Sequence, residues 1–227
     1  MTQLSKSIFR VRAAFVAALF ATAVMACEGQ PDDVWSPEPG TEPILHSLGT
    51  PTSFDVGPSA GDSAGSFAAA RGSSPAASAE LVVGIEGGTL ELWAPGDQVL
   101  VITGLEVAVA PIALDGTVVP PEGATLTGVV ARAAGPVSLS VNPGIDRITA
   151  ISHLDLRVSW ALERDGQVFP LSDLMLRRVP FSLEVSRNVL GQLRVRLVAF
   201  RDGIFWSWAG AMALADLTVD LVASETL

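Results

Sequence analysis

The sequence predicts an all-β fold, either an antiparallel β-sandwich or a partly open barrel of hairpins, that follows a disordered tether. Three observations indicate this organisation. Apolar and polar residues alternate over many short segments of residues 79–227, turn-forming Gly and Pro residues separate those segments, and a tract rich in Pro, Gly, Ser and Ala precedes them. Short alternating segments that are separated by turns at this spacing are typical of a sandwich or barrel with one core.

The clearest strand is predicted over Ile148–Leu162. Apolar side chains occupy one parity and polar ones the other: Leu154, Leu156, Val158, Trp160 and Leu162 against Asp155, Arg157 and Ser159. Side chains of a strand point alternately to its two faces, so the first set is expected in the core and the second set, with His153, in solvent. The Asp165-Gly166 pair that follows tolerates the positive φ angles of a tight turn, which predicts a hairpin.

The Asp-Gly dipeptide occurs again at Asp115-Gly116 and Asp202-Gly203. Each follows an alternating run, and together they predict two further hairpins. Pro180 lacks a backbone N–H and therefore predicts a sheet edge or a bend. Ser207–Leu214 is rich in Ala and is compatible with either a helical turn or a strand. Shorter strands are predicted at Leu81–Gly84, Leu90–Trp93, Val99–Thr103, Leu126–Ala131, Val137–Val141, Leu174–Val179, Phe181–Val185 and Leu217–Val222.

The N-terminal residues 1–26 have the features of an export signal. Lys6, Arg10 and Arg12 precede an uncharged run, Ala13–Ala26, and no acidic residue is present. Fourteen residues are fewer than the roughly 20 that a permanent membrane helix needs. A basic start, a short apolar run and small residues at its end predict a cleaved signal peptide.

At Val24-Met25-Ala26-Cys27 the chain resembles the bacterial lipoprotein class, although Met25 is larger than the residue usual there. The resemblance implies cleavage before Cys27, lipidation of its sulfur and attachment to the cell envelope. Glu28, in place of the Asp that retains many lipoproteins at the inner membrane, favours the outer membrane. Alternatively, cleavage after Ala21-Thr22-Ala23 would release a secreted or periplasmic protein with a free thiol, or the signal would stay uncleaved as an anchor.

Residues 27–78 are predicted to form a lipid-anchored, disordered tether. Of residues 28–78, 30 of 51 are Pro, Gly, Ser or Ala, a composition with too little apolar surface to offset the entropy of ordering. Two apolar pairs interrupt it, Val34-Trp35 and Ile44-Leu45. They are either inert or dock onto a partner or onto the folded domain of the same chain.

Charge excludes one class of partner and suggests another. The chain has 14 basic and 24 acidic residues, and loss of residues 1–26 leaves 11 against 24, a net charge of −13, which disfavours nucleic acid binding. Between Arg177 and Arg201, however, six arginines face a single acid. Arginine binds carboxylate and phosphate in a fork geometry, so candidates for contact with an anion or a partner are Arg177, Arg178, Arg194 and Arg196. Alternatively, arginine replaces lysine on the surface, since no lysine follows Cys27.

Aromatic residues supply the candidates for an apolar contact or pocket. They are Trp160, Trp206 and Trp208, with Phe200 and Phe205 nearby in the sequence. The alternative is that these side chains are ordinary core. Only His46 and His153 are available as histidines, and no motif for a metal or another cofactor is present, so the sequence does not identify an enzyme.

Three functions remain open on these grounds. The first is a non-catalytic envelope lipoprotein whose β domain binds or scaffolds a protein or ligand. The second is a carrier of a lipid or other apolar molecule, and the third is a hydrolase with an unrecognised site. A carrier is expected to contain a cavity lined by residues such as Trp160 and Phe200, whereas a scaffold is expected to be filled.

Overall fold

The computed structural model describes residues 43–57, 64–71, 78–116, 119, 122–208 and 211–225. For residues 64–71, 78–82, 202–208 and 211–217 the description covers the backbone alone. The elements are one helix, α1 (Ile44–Ser47), and strands β1 (Thr52–Val56), β2 (Ala64–Arg71), β3 (Ser78–Gly96), β4 (Val99–Val109), β5 (Ile112–Leu114), β6 (Ala124–Ala133), β7 (Val137–Ser140), β8 (Arg147–Arg164), β9 (Gln167–Pro170), β10 (Leu174–Arg187), β11 (Leu193–Trp208) and β12 (Ala211–Glu225).

Eight of these strands close into an antiparallel barrel. The hydrogen-bonded order is β3-β2-β12-β11-β10-β8-β6-β4, and β4 pairs back with β3. Closure gives each of these strands two neighbours, which limits the exposed edges that an open sheet would present. The prediction of an all-β antiparallel fold is confirmed, and the architecture is the barrel.

The remaining strands extend the wall at its ends. Beyond the end of β2, strand β1 pairs with both β3 and β12. Strand β7 pairs with β4 at Val99–Ile102, beyond the part of β4 that pairs with β6. At the other end, β5 pairs with β6 and β9 pairs with β8.

Helix α1 lies over the end of the barrel that β1 and β7 complete, which we call the plugged end. The Ile44 amide donates to the Gly144 carbonyl at 3.1 Å, and the Ala94 amide donates to the Leu48 carbonyl at 2.7 Å. Both apolar side chains, Ile44 and Leu48, are fully buried, as is Phe54 of β1. Within the described ranges, no helix has the length and apolar composition needed to cross a membrane.

This arrangement corrects the predicted tether. Residues 43–57 form α1 and β1, and 64–71 form a barrel strand, although the sequence predicts disorder over 27–78. The tract contains few apolar residues, but five of them are all buried in the main core: Ile44, Leu45, Leu48, Phe54 and Val56. A few large side chains that fill a preformed barrel end are sufficient to order a polar segment.

The predicted strand over Ile148–Leu162 is confirmed, with its even-numbered side chains in the core. Asp165 and Gly166, at φ of 53° and 72°, form the tight turn between β8 and β9. The hairpin predicted at Asp115-Gly116 is present, because β5 pairs antiparallel with β6, but its loop is longer than a tight turn. The hairpin predicted at Asp202-Gly203 is wrong, because that pair lies at a register shift inside β11, and Asp-Gly suits a bulge as well as a turn.

Two open questions of the sequence are resolved by the strand pairing. Within Ser207–Leu214, residues 207–208 end β11 and residues 211–214 begin β12, so the segment is a strand hairpin. Pro180 lies within β10, opposite His153 of β8, at the point where β10 ceases to pair with β11. It therefore marks a sheet edge, as predicted.

Candidate functional site

The end of the barrel opposite α1 contains an apolar cavity of about 110 Å³, and we call it the open end. Its lining comes from residues of β3, β4, β5, β6, β8, β10, β11 and β12. Among them are Val158, Trp160, Leu174, Val179, Phe200 and Arg201. A cavity with so few polar groups is expected to stay dry and to accept an apolar guest.

Trp160 contributes an aromatic wall because it continues the inward row of β8. Its indole Nε1 donates to the carbonyl of Ser172 at 2.9 Å, and its carbonyl accepts a hydrogen bond from the Leu171 amide at 3.2 Å. Both contacts hold the β9–β10 connection beside the cavity. The polar atom of the indole is thereby satisfied outside the cavity, and the ring remains available for apolar contact.

Strand β11 brings a charge into the cavity wall. Its inward row is apolar and buried at Leu193, Val195, Leu197 and Ala199, and the next position of the same parity is Arg201. Arg201 is half-buried and lines the cavity, as does Phe200, which is 46% exposed. We call the group Trp160, Leu174, Phe200 and Arg201 the mouth.

The wall is split between β10 and β11 at the mouth. The two strands pair from Arg187 opposite Leu193 to Phe181 opposite Ala199, and no pairing continues beyond that point. Residues 174–180 of β10 and 200–208 of β11 therefore face each other without hydrogen bonds between their backbones, a stretch that we call the seam. Among the described strands, none fills the seam.

Local sequence explains why the seam opens. Pro180, the first β10 residue past the last pair, has no amide hydrogen to donate to β11. A bulge follows at Arg177 and Arg178, where the register with β8 shifts, and a second interrupts β11 between Arg201 and Ile204. Bulges increase local twist and bend strands away from their neighbours.

The bulge in β10 is held by a specific contact. Arg178 has φ of 53°, in the left-handed region that non-glycine residues rarely adopt, and its amide donates to Oδ1 of Asp155 at 2.7 Å. A hydrogen bond to a charged carboxylate offsets the roughly 1–2 kcal/mol that such a backbone conformation costs. Asp155 thus fixes one edge of the seam.

The four arginines predicted as an anion contact do not form one site. Glu184 is paired across the strands with Arg196 and lies six residues from Arg178 along β10, about 20 Å at roughly 3.3 Å per residue. Arg177 and Arg178 therefore lie at the open end. Arg194 and Arg196 lie on the outer wall toward the plugged end.

Arg196 is already engaged by acidic side chains of the barrel. Its Nε donates to Oδ1 of Asp220 at 2.9 Å, and these hydrogen bonds, with the attraction of Asp220 and of Glu184, raise the pKa of Arg196 above its usual value. Glu184 in turn accepts a hydrogen bond from Arg147 at 2.6 Å. The outer wall here is a chain of alternating charges that neutralise one another.

Other predicted residues fall in different places. Cys27 lies outside the described residues, as do the side chains of Trp206 and Trp208, whose backbones form the end of β11. His153 is exposed on the outer face, as predicted. The described ranges contain no group of three or more side chains placed to hold a metal ion.

Sequence reasoning missed Arg201 as a site residue. The signal was present, because Arg201 has the same parity as Leu193, Val195, Leu197 and Ala199 in an otherwise alternating strand. An arginine in phase with a buried row is unusual and indicates a strand leaving the core or a charge placed in a pocket. Comparison of the chain with protein-family models, with curated proteins and with solved structures gave no match.

Proposed function

We propose that the protein is a non-catalytic carrier that holds an apolar molecule, or the apolar end of a larger one, in the open end of its barrel. The observation that carries the proposal is the cavity of about 110 Å³ lined by Trp160 and Phe200. This is the feature expected of a carrier and not of a scaffold with a filled core.

The stability cost of an unfilled cavity supports the proposal that the cavity binds a ligand. An unfilled cavity costs about 24 cal/mol per Å³, so 110 Å³ corresponds to about 3 kcal/mol of stability. That is a large fraction of the 5–15 kcal/mol that typically stabilises a domain. A guest that fills the space recovers part of this cost, which gives an apolar ligand a favourable binding energy.

The size of the cavity limits the guest. An engineered apolar cavity of roughly 150 Å³ binds benzene or xenon, so the space here suits a short alkyl segment or a single small ring. A longer molecule would continue through the mouth between Trp160 and Phe200. We therefore expect ligands whose apolar end enters the barrel and whose remainder lies at the surface.

The test is binding of small apolar probes to the purified protein. Benzene and octanol should raise the melting temperature, since a ligand that binds only the folded state stabilises it. A brominated alkyl chain should quench tryptophan fluorescence, and Trp160→Phe should lose part of that quenching. Absence of any thermal shift, or equal quenching in the Trp160→Phe variant, would contradict the proposal.

We also propose that the carrier is a lipoprotein of the bacterial envelope, anchored through Cys27 to the outer membrane. Support comes from the basic start, the uncharged run Ala13–Ala26 and the lipobox-like residues before Cys27. Two or more acyl chains hold a protein firmly at a bilayer, whereas one binds marginally.

Radioactive palmitate should label the protein in bacterial cells, and Cys27→Ser should abolish the label. The intact mass of the mature protein should match a chain that begins at residue 27 with its lipid groups. An unmodified thiol, or a chain beginning elsewhere, would disprove the anchor while leaving the cavity proposal untouched.

A further inference from the structure

The seam between β10 and β11 combines an apolar cavity with a concentration of positive charge. Arg201 lines the cavity from β11. If the pairing of the two strands continued in register, Val179 would lie opposite Arg201, so Arg177 and Arg178 follow directly on the facing edge. Three arginines thus flank a stretch of the wall beside the cavity where β10 and β11 are not joined by backbone hydrogen bonds.

Among the side chains that the structure describes, no carboxylate lies within ion-pair distance of the guanidinium groups of Arg177, Arg178 or Arg201. Asp155 contacts Arg178, but it accepts its hydrogen bond from the backbone amide. The contrast is with Arg196 on the outer wall, whose charge is matched by Asp220.

Arg201 differs from the other two in its environment. It occupies the inward row of β11 after Leu197 and Ala199, and it is half-buried. A charge placed partly out of water beside an apolar surface is costly unless an opposite charge meets it. A ligand with an anionic group at the mouth and an apolar chain in the cavity satisfies both surfaces at once.

We propose that the ligand is an amphiphile with an anionic head group, whose chain enters the cavity and whose head is bound by Arg201 at the seam, with Arg177 and Arg178 adding to the attraction. The inference rests on the proposed carrier function and names its ligand class. Carboxylate and phosphate both match the guanidinium fork, and the shared chemistry is a compact oxyanion on an alkyl chain.

Isothermal titration of the full-length protein with nonanoate, octyl phosphate and octanol tests the proposal, because the three share an eight-carbon alkyl chain and differ in the head group. We expect both anions to bind at least tenfold more tightly than octanol at low salt. The tighter of the two identifies the head group as carboxylate or phosphate. Raising the salt concentration should weaken the anions and leave octanol unchanged.

Variants assign the effect to Arg201. Arg201→Gln should reduce the preference for anions over octanol to less than twofold, and Arg201→Lys should retain part of it. Arg194→Gln, a change of the same kind on the outer wall, serves as the matched control and should leave the affinities of all three compounds unchanged. A far-UV circular dichroism spectrum and a cooperative thermal transition like those of the unaltered protein show that the Arg201→Gln barrel is folded.

The outcomes separate the two proposals. Equal affinity for octanol and the anions in the unaltered protein, or an anion preference that survives Arg201→Gln, would overturn the head-group assignment and leave the carrier function standing. Failure of all three compounds to bind would overturn the carrier function, and the head-group assignment with it.

Discussion

The two ends of the barrel are built from the same strands but are completed in opposite ways. At the plugged end, Ile44, Leu48, Leu92 and Leu100 are fully buried, and α1 and β1 close the wall. At the open end the same eight strands leave a cavity, a split between β10 and β11 and the half-buried Arg201. On the proposed carrier function, one end of the barrel stabilises the fold and the other binds the ligand.

A matched pair of leucine-to-alanine substitutions gives the strongest test of whether the two ends differ in packing. Leu48→Ala at the plugged end should cost about 4 kcal/mol of unfolding free energy, because a full complement of contacts is lost. Leu154→Ala in the cavity wall should cost nearer 2 kcal/mol, because its neighbours are already loosely packed. Urea denaturation measures both, and equal costs would show that the ends are equally well packed.

Small-to-large changes should differ in sign between the ends. Ala199→Leu adds three carbons toward the cavity and should stabilise the protein by about 1 kcal/mol while abolishing binding of octanol. Ala150→Leu makes the same change in the packed core and should cost about 1–3 kcal/mol while leaving binding intact. Thermal unfolding with and without octanol reports both effects, and a destabilised Ala199→Leu variant would argue against usable space.

Removing the hydrogen bond that holds the bulge in β10 tests whether the seam opens independently of the rest of the barrel. Asp155→Ala deletes the acceptor of the Arg178 amide and should cost about 1–2 kcal/mol. Hydrogen exchange should accelerate at residues 177–179 and stay unchanged in β1, at the plugged end. Uniform acceleration across the barrel would mean that the seam does not open independently.

The smallest effect is expected from a surface ion pair on the outer wall. Arg132 Nε donates to Oε2 of Glu106 at 2.8 Å, and this hydrogen bond lowers the pKa of Glu106 below that of an ordinary glutamate. A depressed folded-state pKa contributes stability that is present above about pH 4.5 and is lost as the pH falls through the lowered value. Glu106→Gln should therefore lower the melting temperature slightly at pH 7 and not at pH 2.

The sequence predicted the all-β class because alternation in β8 is strict and local. It did not predict closure into a barrel, which depends on β12 meeting β2 across a long sequence separation. The ordering of Ile44 and Leu48 was missed for the same reason. These residues are buried by contacts with the end of the barrel, and a four-residue helix is too short to show a hydrophobic period in the sequence.

The site was predicted in part. Trp160 and Phe200 were identified as candidate pocket residues from their type and position, and both line the cavity. Arg177 and Arg178 lie at the opposite end of β10 from the residues that pair with Arg194 and Arg196, so neighbours in the sequence are far apart along the two strands. The positions of the bulges decide which arginine lines the cavity. The bulge at Asp202-Gly203 was not predicted, because in the sequence that pair indicates a turn.

Strand β1 has a consequence for how the molecule is made. Its Phe54 and Val56 pair with Glu225 and Ala223, about 170 residues later in the chain, so this part of the wall cannot form until β12 has been made. During synthesis the edge of β1 that faces β12 therefore stays unpaired until those residues have emerged. Removal of residues 223–225 should leave β1 without one of its two neighbours.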